Sequence, residues 1–250
     1  MQIARAGTRS RGLGSSVMRR RPSVDLAMYA QAVPLLVRHP SIFVMPLLAA
    51  VVELLFTQLA YLFTNAVGGA GAGIFQLLIQ LVYLWAFGVT IIQASNIWRK
   101  RRGTFDEAWE EGRVKFGSIA IAAIGFQFIV WAASYIGSFL GTFGLVLGAV
   151  AAFFLIYTIP ASAIGGMPGS LALNASFRAV RAQPLGSLIL AVIFFAIWYV
   201  AVPLALPYLL VHLSATLWSF VTAGARALAL GYLAFPFAKQ YDDVAFTGYW

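Results

Sequence analysis

Cysteine is absent from all 250 residues, which excludes disulfides, thiolate nucleophiles and Cys-based metal sites. Charge is scarce, with Asp, Glu, Lys and Arg making up 10% of the chain against roughly 25% in ordinary soluble domains. Histidine occurs twice, as His39 and His212. On the topology derived below they lie on opposite sides of a membrane and cannot share a metal or form a catalytic pair. Either could singly ligate a pigment or haem, but a lone interfacial histidine more often serves structure. No Ser/His/Asp set falls at one depth, no helix carries a His-Glu metal pattern, and "GGAGAG" at 68–73 lacks the Lys and Ser/Thr of a phosphate-binding loop. The expectation is a non-enzyme without a cofactor.

What is abundant is apolar surface: 61% of residues are hydrophobic and 15% aromatic. Several runs are long enough to cross a hydrocarbon core of about 30 Å. The net charge of +9 does not imply nucleic acid, because of where the cations fall. They cluster at Arg5–Arg38, at Arg99, Lys100, Arg101, Arg102, Arg113 and Lys115, and at Arg178, Arg181 and Lys239. These are alternate connections between apolar runs, and the intervening connections carry no charge, as the positive-inside rule produces. The partner implied is a bilayer with anionic lipid at the cytoplasmic face.

Residues 1–22 read as a basic, disordered cytoplasmic tail; an organelle transit peptide has a similar composition. From Ser23 to about Val37 the pattern predicts an amphipathic helix, with Ser23 as N-cap and Asp25 in the first turn. Spans are expected at about 41–64, 74–98, 118–139, 142–166, 187–208 and 214–238, leaving a short cytoplasmic tail at 239–250. "PSVDLAMY" at 22–29, "GTFDEAWE" at 103–110 and "GSLALNAS" at 169–176 share a Gly or Pro, a Ser or Thr cap and an apolar residue. Each runs to a basic stop, "VRHPS", "VKFGS" or "VRAQP", before a pair of spans. In the second, Thr104 and Glu107 have capping-box spacing. The fold class is therefore an all-α integral membrane protein. Six transmembrane helices form three helical hairpins, each preceded by a short cytoplasmic amphipathic helix, with both termini cytoplasmic. The units start near 23, 104 and 170; triplication and convergence on interfacial-helix chemistry both account for them.

The stretches "LLVRHPSIFVMPLL" (35–48), "RRGTFDEAWEEG" (101–112) and "NASFRAVRAQPLGSLIL" (174–190) resemble a loose group of uncharacterised bacterial six-span families. That group includes the membrane domain attached to some glycerophosphodiester phosphodiesterases. The resemblance covers most of the chain after Ser23 and implies a fold, not a reaction, since the catalytic barrel is absent. The interfacial helix, six spans and "RRGTFDEAWEEG" are also similar to export-type ABC permeases, whose short cytoplasmic helix docks on an ATPase.

Two formal charges interrupt the apolar runs: Glu53 in "AAVVELLFTQLAY" (49–61) and Arg226 in "FVTAGARALALGY" (220–232). A charge at the bilayer centre costs at least ~2.5 kcal/mol, so such groups face the bundle interior and are partnered. Pro40 to Glu53 and Arg226 to Lys239 are both thirteen residues, which is about 20 Å of helix. The first and sixth spans run antiparallel, so the two groups fall at one depth, and Ala223, Gly224, Ala225 and Ala227 permit close helix approach. An ion pair between Glu53 and Arg226 is expected, either as a packing lock or as a coupling or substrate site. Gln58, Gln76, Gln80, Gln93 and Gln127 are weaker candidates for interhelical hydrogen bonds or a polar path.

Arg99, Lys100, Arg101, Arg102, Arg113, Lys115, Arg178 and Arg181 are expected to dock lipid or a partner. Two functional classes follow. One is a non-catalytic accessory or scaffold subunit bound to other membrane subunits. The other is a transport component, a small-solute carrier or an exporter permease with an ATPase partner. The membrane expected is the bacterial cytoplasmic (inner) membrane, or alternatively an organelle inner membrane.

Overall fold

A computed structural model describes residues 24–245 except 68, 140, 142 and 206–214. The N-terminal tail, Ser23, His212 and the connection "YLLVHLSA" up to Ser214 lie outside the described residues. The regular structure is helical throughout: α1 (Ala27–Arg38), a 3-10 turn (Pro40–Phe43), α2 (Val44–Val67), α3 (Gly69–Lys100), α4 (Phe105–Val114) and α5 (Phe116–Ser138). Then come α6 (Phe143–Phe154), α7 (Thr158–Ala163), α8 (Gly169–Ala182), α9 (Pro184–Phe195), a π-helical stretch (Ala196–Ala205) and α10 (Ala215–Ala245). Among the described residues six helical segments are long and apolar enough to cross a membrane: Pro40–Ala60, Gly73–Lys100, Phe116–Ser138, Phe143–Ala163, Pro184–Val202 and Leu217–Ala245. The chain is an integral membrane protein by this measure.

Sequence and structure differ at several ends. The Gly-rich stretch expected as a turn before residue 74 is helical from Gly69. The helix of the apolar span that begins at Gly73 thus continues outward for about one further turn. The last helix runs seven residues beyond the expected 238, through the segment read as a tail. Tyr241 and Val244 are buried there, and Lys239 pairs with Asp243 one turn on. At α1 the helix begins at Ala27, whose N–H is accepted by Asp25 Oδ1 at 3.0 Å, so Asp25 precedes the helix instead of lying in its first turn, and the cap expected at Ser23 falls outside the described residues. Thr104 Oγ1 accepts the Glu107 N–H at 3.3 Å and caps α4. The third start differs: Pro168 occupies the cap position of α8 and Ser170 lies within the helix.

The fourth segment is not the continuous span expected at 142–166. It breaks at 155–157, between α6 and α7. Pro160 has no N–H to offer the Ile156 carbonyl, and its ring collides with that group in a regular helix. The groups freed at the break are taken by Ser176 of α8, which accepts the Tyr157 N–H and donates to the Phe154 carbonyl, both at 2.9 Å. Non-helical backbone is tolerated at such depth only when the surrounding protein satisfies it. The fifth segment turns π-helical from Ala196, with Pro203 inside it withholding an N–H from the ladder.

α3 and α10 form the axis. Val89, Ile91, Ile92, Ala94 and Ile97 of α3 are buried with Leu233, Ala234, Phe235, Phe237 and Ala238 of α10. α1 lays Met28, Ala32 and Leu35 against this core, and α8 lays Ala172, Ala175, Ala179 and Val180. Packing is dense at this end. Toward the other end α5 buries only Gly137, where it crosses α6. A Cβ on Gly137 would sit 2.5 Å from the Gly144 Cα, so the two backbones touch there.

The joints between the short helices and the spans repeat. His39 (φ −128°, ψ 65°) ends α1 and precedes Pro40; Gln183 (φ −138°, ψ 69°) ends α8 and precedes Pro184. Lys115, at the middle joint, has φ −89° and ψ 5° and is followed by Phe116 rather than proline. A serine follows every joint and bonds a neighbouring element. Ser41 accepts from Gln93 at 2.9 Å, Ser118 donates to the Met167 carbonyl at 3.0 Å, and Ser187 meets the Tyr157 hydroxyl at 3.1 Å.

Candidate functional site

Glu53 lies in the middle of α2 and Arg226 in the middle of α10, and the structure brings them together. Ala50, Ala223 and Ala227 form a small buried cluster with Leu54 against it, so α2 and α10 approach without bulky side chains between them. Residues 50 and 53, and 223, 226 and 227, share helix faces, which places both charges beside that contact. Arg226 Nη1 pairs with Glu53 Oε1. The other carboxylate oxygen, Oε2, accepts the hydroxyl of Tyr83 from α3. Tyr83 is 7% exposed and is backed edge-on by Trp198, with ring centroids 5.8 Å apart. The Glu53 side chain is 15% exposed and that of Arg226 32%, so the pair is closed on the carboxylate side and partly open on the guanidinium side.

Three helices thus meet at one carboxylate, and each of its oxygens has a donor. Desolvating two ions costs several kcal/mol each, and the attraction repays this only when the remaining hydrogen-bonding capacity is filled. Tyr83 fills it. Tyr83 did not emerge from the sequence because its hydroxyl has no charge to mark it. A signal existed: it lies ten residues inside the apolar span that starts at Gly73, about 15 Å in, well away from the interfacial belt where tyrosine usually sits.

The eight basic residues divide. Arg99 grips Asp242 of α10 with Nε at 2.8 Å and Nη2 at 2.6 Å, so it ties α3 to α10. Lys115 bonds Glu111 at 2.6 Å and the Ala163 carbonyl at 2.7 Å, anchoring α7 to the α4–α5 joint. Arg113 pairs with Glu110 at 2.9 Å on the surface, and Arg181 lies 4.5 Å over the Phe177 ring. Lys100, Arg101, Arg102 and Arg178 are exposed and make no ion pair among the described residues.

The glutamines divide too. Gln93 is structural, donating to Ser41 at 2.9 Å and to the Gly103 carbonyl at 3.3 Å. Gln76, Gln80 and Gln127 line one cavity between α3 and α5, while Gln58 is exposed. His39 is half-buried at its joint, its N–H accepted by the Leu35 carbonyl at 3.0 Å. Among the described residues no three His, Asp or Glu side chains are grouped to hold a metal ion. No protein-family model, curated protein or solved structure matches the chain.

Proposed function

We propose that this chain is a non-catalytic accessory or scaffold subunit of a larger membrane assembly. The observation that carries the reading is the closure of the Glu53–Arg226–Tyr83 cluster, in which both carboxylate oxygens already hold donors from the bundle's own helices. Polar groups so arranged orient helices against one another; they are spent on α2, α3 and α10.

The proposed arrangement has three hairpins: α2 with α3, α5 with α6–α7, and α9 with α10. The short helices α1, α4 and α8 lie as amphipathic elements in the cytoplasmic interface, and both termini are cytoplasmic. The matched backbone at His39 and Gln183 and the serine after every joint support an internal repeat. The bacterial inner membrane suits the distribution of basic residues. Lys100, Arg101, Arg102 and Arg178 would meet anionic headgroups or the acidic surface of a neighbouring subunit. Extraction from native membranes in mild detergent should bring down a stoichiometric membrane partner, identified by mass spectrometry. Purification of the chain alone, with no partner retained by crosslinking beforehand, would overturn the proposal.

One observation favours a transport component instead. The Arg226 side chain remains 32% exposed at mid-span, as a group serving a substrate path would be. That reading requires water at Glu53: a Glu53→Cys variant would react with small charged thiol reagents. On the scaffold reading it stays unlabelled.

A further inference from the structure

Most cations among the described residues are already engaged: Arg99 by Asp242, Arg113 by Glu110, Lys115 by Glu111, Arg226 by Glu53, Lys239 by Asp243, and Arg181 by the Phe177 ring. Arg38, Lys100, Arg101, Arg102 and Arg178 are exposed and make no ion pair among the described residues. Four of these five gather at one place. Pro40 opens the first span and Lys100 closes the second, so Arg38 and residues 100–102 flank the same end of the α2–α3 pair. Gln93 ties the two connections together, its Nε2 donating to Ser41 Oγ at 2.9 Å and to the Gly103 carbonyl at 3.3 Å. Arg38 lies three residues before Ser41, and Arg102 immediately precedes Gly103. Gly103 is pressed against α3, where an added Cβ would sit 2.6 Å from Ile97 Cγ1. The chain therefore doubles back after Lys100, leaving Arg101 and Arg102 exposed on the reversal. Asp106 and Glu107, the nearest acids in the sequence, pair with none of the four.

Like charges held near one another repel, and an anion between them turns that repulsion into attraction. The backbone gives a second, independent signal. Arg101 has φ 57°, and its N–H is accepted by the Ile97 carbonyl at 3.0 Å. This is the left-handed position after a helix, which glycine fills without strain. The positive-inside rule accounts for basic residues at this end of the bundle but is indifferent to which loop position holds them. An arginine where the backbone favours glycine is explained by a use for its side chain. Beyond the cations, Leu47, Leu48 and Val51 are exposed on one side of α2, about 10 to 15 Å along the helix from Ser41. Guanidinium groups at the headgroup level with alkyl surface beneath them suit an anionic phospholipid. A zwitterionic lipid brings an ammonium that the arginines repel, and a soluble anion has no use for the leucines.

We infer that the α1–α2 and α3–α4 connections together hold one anionic phospholipid, with its phosphate diester between Arg38, Arg101 and Arg102 and its acyl chains over Leu47, Leu48 and Val51. The site deepens the headgroup contact proposed above for the basic residues and does not depend on the scaffold reading, since it requires only this chain and lipid.

The test uses the full chain in liposomes of phosphatidylcholine and tail-brominated phosphatidylglycerol, both lipids in both leaflets. A fluorophore is attached at Leu48→Cys or, as reference, at Val192→Cys, which stands eight residues after Pro184 as Leu48 does after Pro40. Both positions are exposed. Bromine quenches only at contact, so quenching against the brominated fraction reads local enrichment of phosphatidylglycerol. Enrichment at Leu48 should exceed that at Val192 about tenfold, the effect of one hydrogen bond between charged groups. Arg101→Gly should bring Leu48 to the Val192 level while leaving thermal stability in lipid-free detergent equal or higher, because it relieves the left-handed backbone. Arg38→Gln should abolish the enrichment from the other connection, and Arg178→Gln should leave it unchanged. Equal enrichment at the two positions, or enrichment indifferent to both Arg101→Gly and Arg38→Gln, would overturn the inference. So would an equal loss from Arg178→Gln, which would show diffuse attraction, or carbodiimide coupling of Lys100 to another protein's carboxylate in native membranes, which would put an acidic partner there.

Discussion

Substituting Glu53 with glutamine keeps the size of the side chain and removes the charge that Arg226 faces. A buried ion orphaned by loss of its partner costs about 3–5 kcal/mol, and a lone arginine at mid-membrane costs about 2.5–3.5 kcal/mol on insertion scales. With the Arg226 side chain 32% exposed, the low end applies, and Glu53→Gln should lose about 2–3 kcal/mol. Arg226→Gln should lose less, about 2 kcal/mol, because an orphaned carboxylate can neutralise itself by taking up a proton whereas a guanidinium stays charged. The double variant leaves two neutral amides, with the Tyr83 hydroxyl still able to donate, and should cost only about 1 kcal/mol. The double-mutant cycle therefore closes with a coupling of about 3 kcal/mol or more. Reversible unfolding in mixed micelles titrated with a denaturing detergent reads each free energy. The exchange Glu53→Arg with Arg226→Glu should recover most of either single loss. Additivity within about 0.5 kcal/mol, together with no recovery in the exchange, would refute the lock.

Orientation is read by labelling intact cells with an impermeant maleimide, since the chain has no native cysteine. Ala70→Cys should label from outside and Arg102→Cys should not; Gly103 is unsuitable because an added Cβ would sit 2.6 Å from Ile97 Cγ1. Gly137→Ala should cost about 1–3 kcal/mol by overpacking, because the obstacle is the Gly144 backbone. Gly148→Ala should cost less, since its obstacle is the Ser134 hydroxyl, which can rotate away; equal losses would refute the close backbone crossing. Burial, with Tyr232 nearby, pushes the Tyr29 phenol well above its ordinary value. A raised folded-state value means its stabilisation is complete below pH ~10 and fades as pH rises beyond it. Tyr29→Phe should make that alkaline loss shallower, and at neutral pH should not destabilise, because the buried hydroxyl has no partner. An unchanged alkaline slope would contradict this.

Much of the architecture was legible because a bilayer imposes few rules and enforces them strictly. Apolar runs of sufficient length, scarce charge and a proline after a basic stop at Pro40 and Pro184 locate the six spanning segments, with ends displaced by up to seven residues at the last two. Thr104 three residues before Glu107 marks the start of α4, since a capping hydroxyl acts on the next turn of its own helix. Such signals are local. The charges of Glu53 and Arg226 are conspicuous in their apolar surroundings, and counting residues is enough to set them at one depth.

What tertiary structure alone decided concerns groups whose roles depend on neighbours distant in sequence. Ser176 stitches the break at Tyr157 from another helix, Tyr83 supplies the second donor to Glu53 from thirty residues away, and Arg99 reaches Asp242 across the bundle. Composition cannot distinguish Gln93, whose amide nitrogen donates to both Ser41 and Gly103, from Gln80, whose acceptor stands bare. The physical reason is that hydropathy and helical periodicity are properties of a segment, whereas hydrogen-bond satisfaction is a property of a place. A membrane fixes how far a helix must run, and only the packing of α3 against α5 and α10 determines which of its polar groups find partners within the protein.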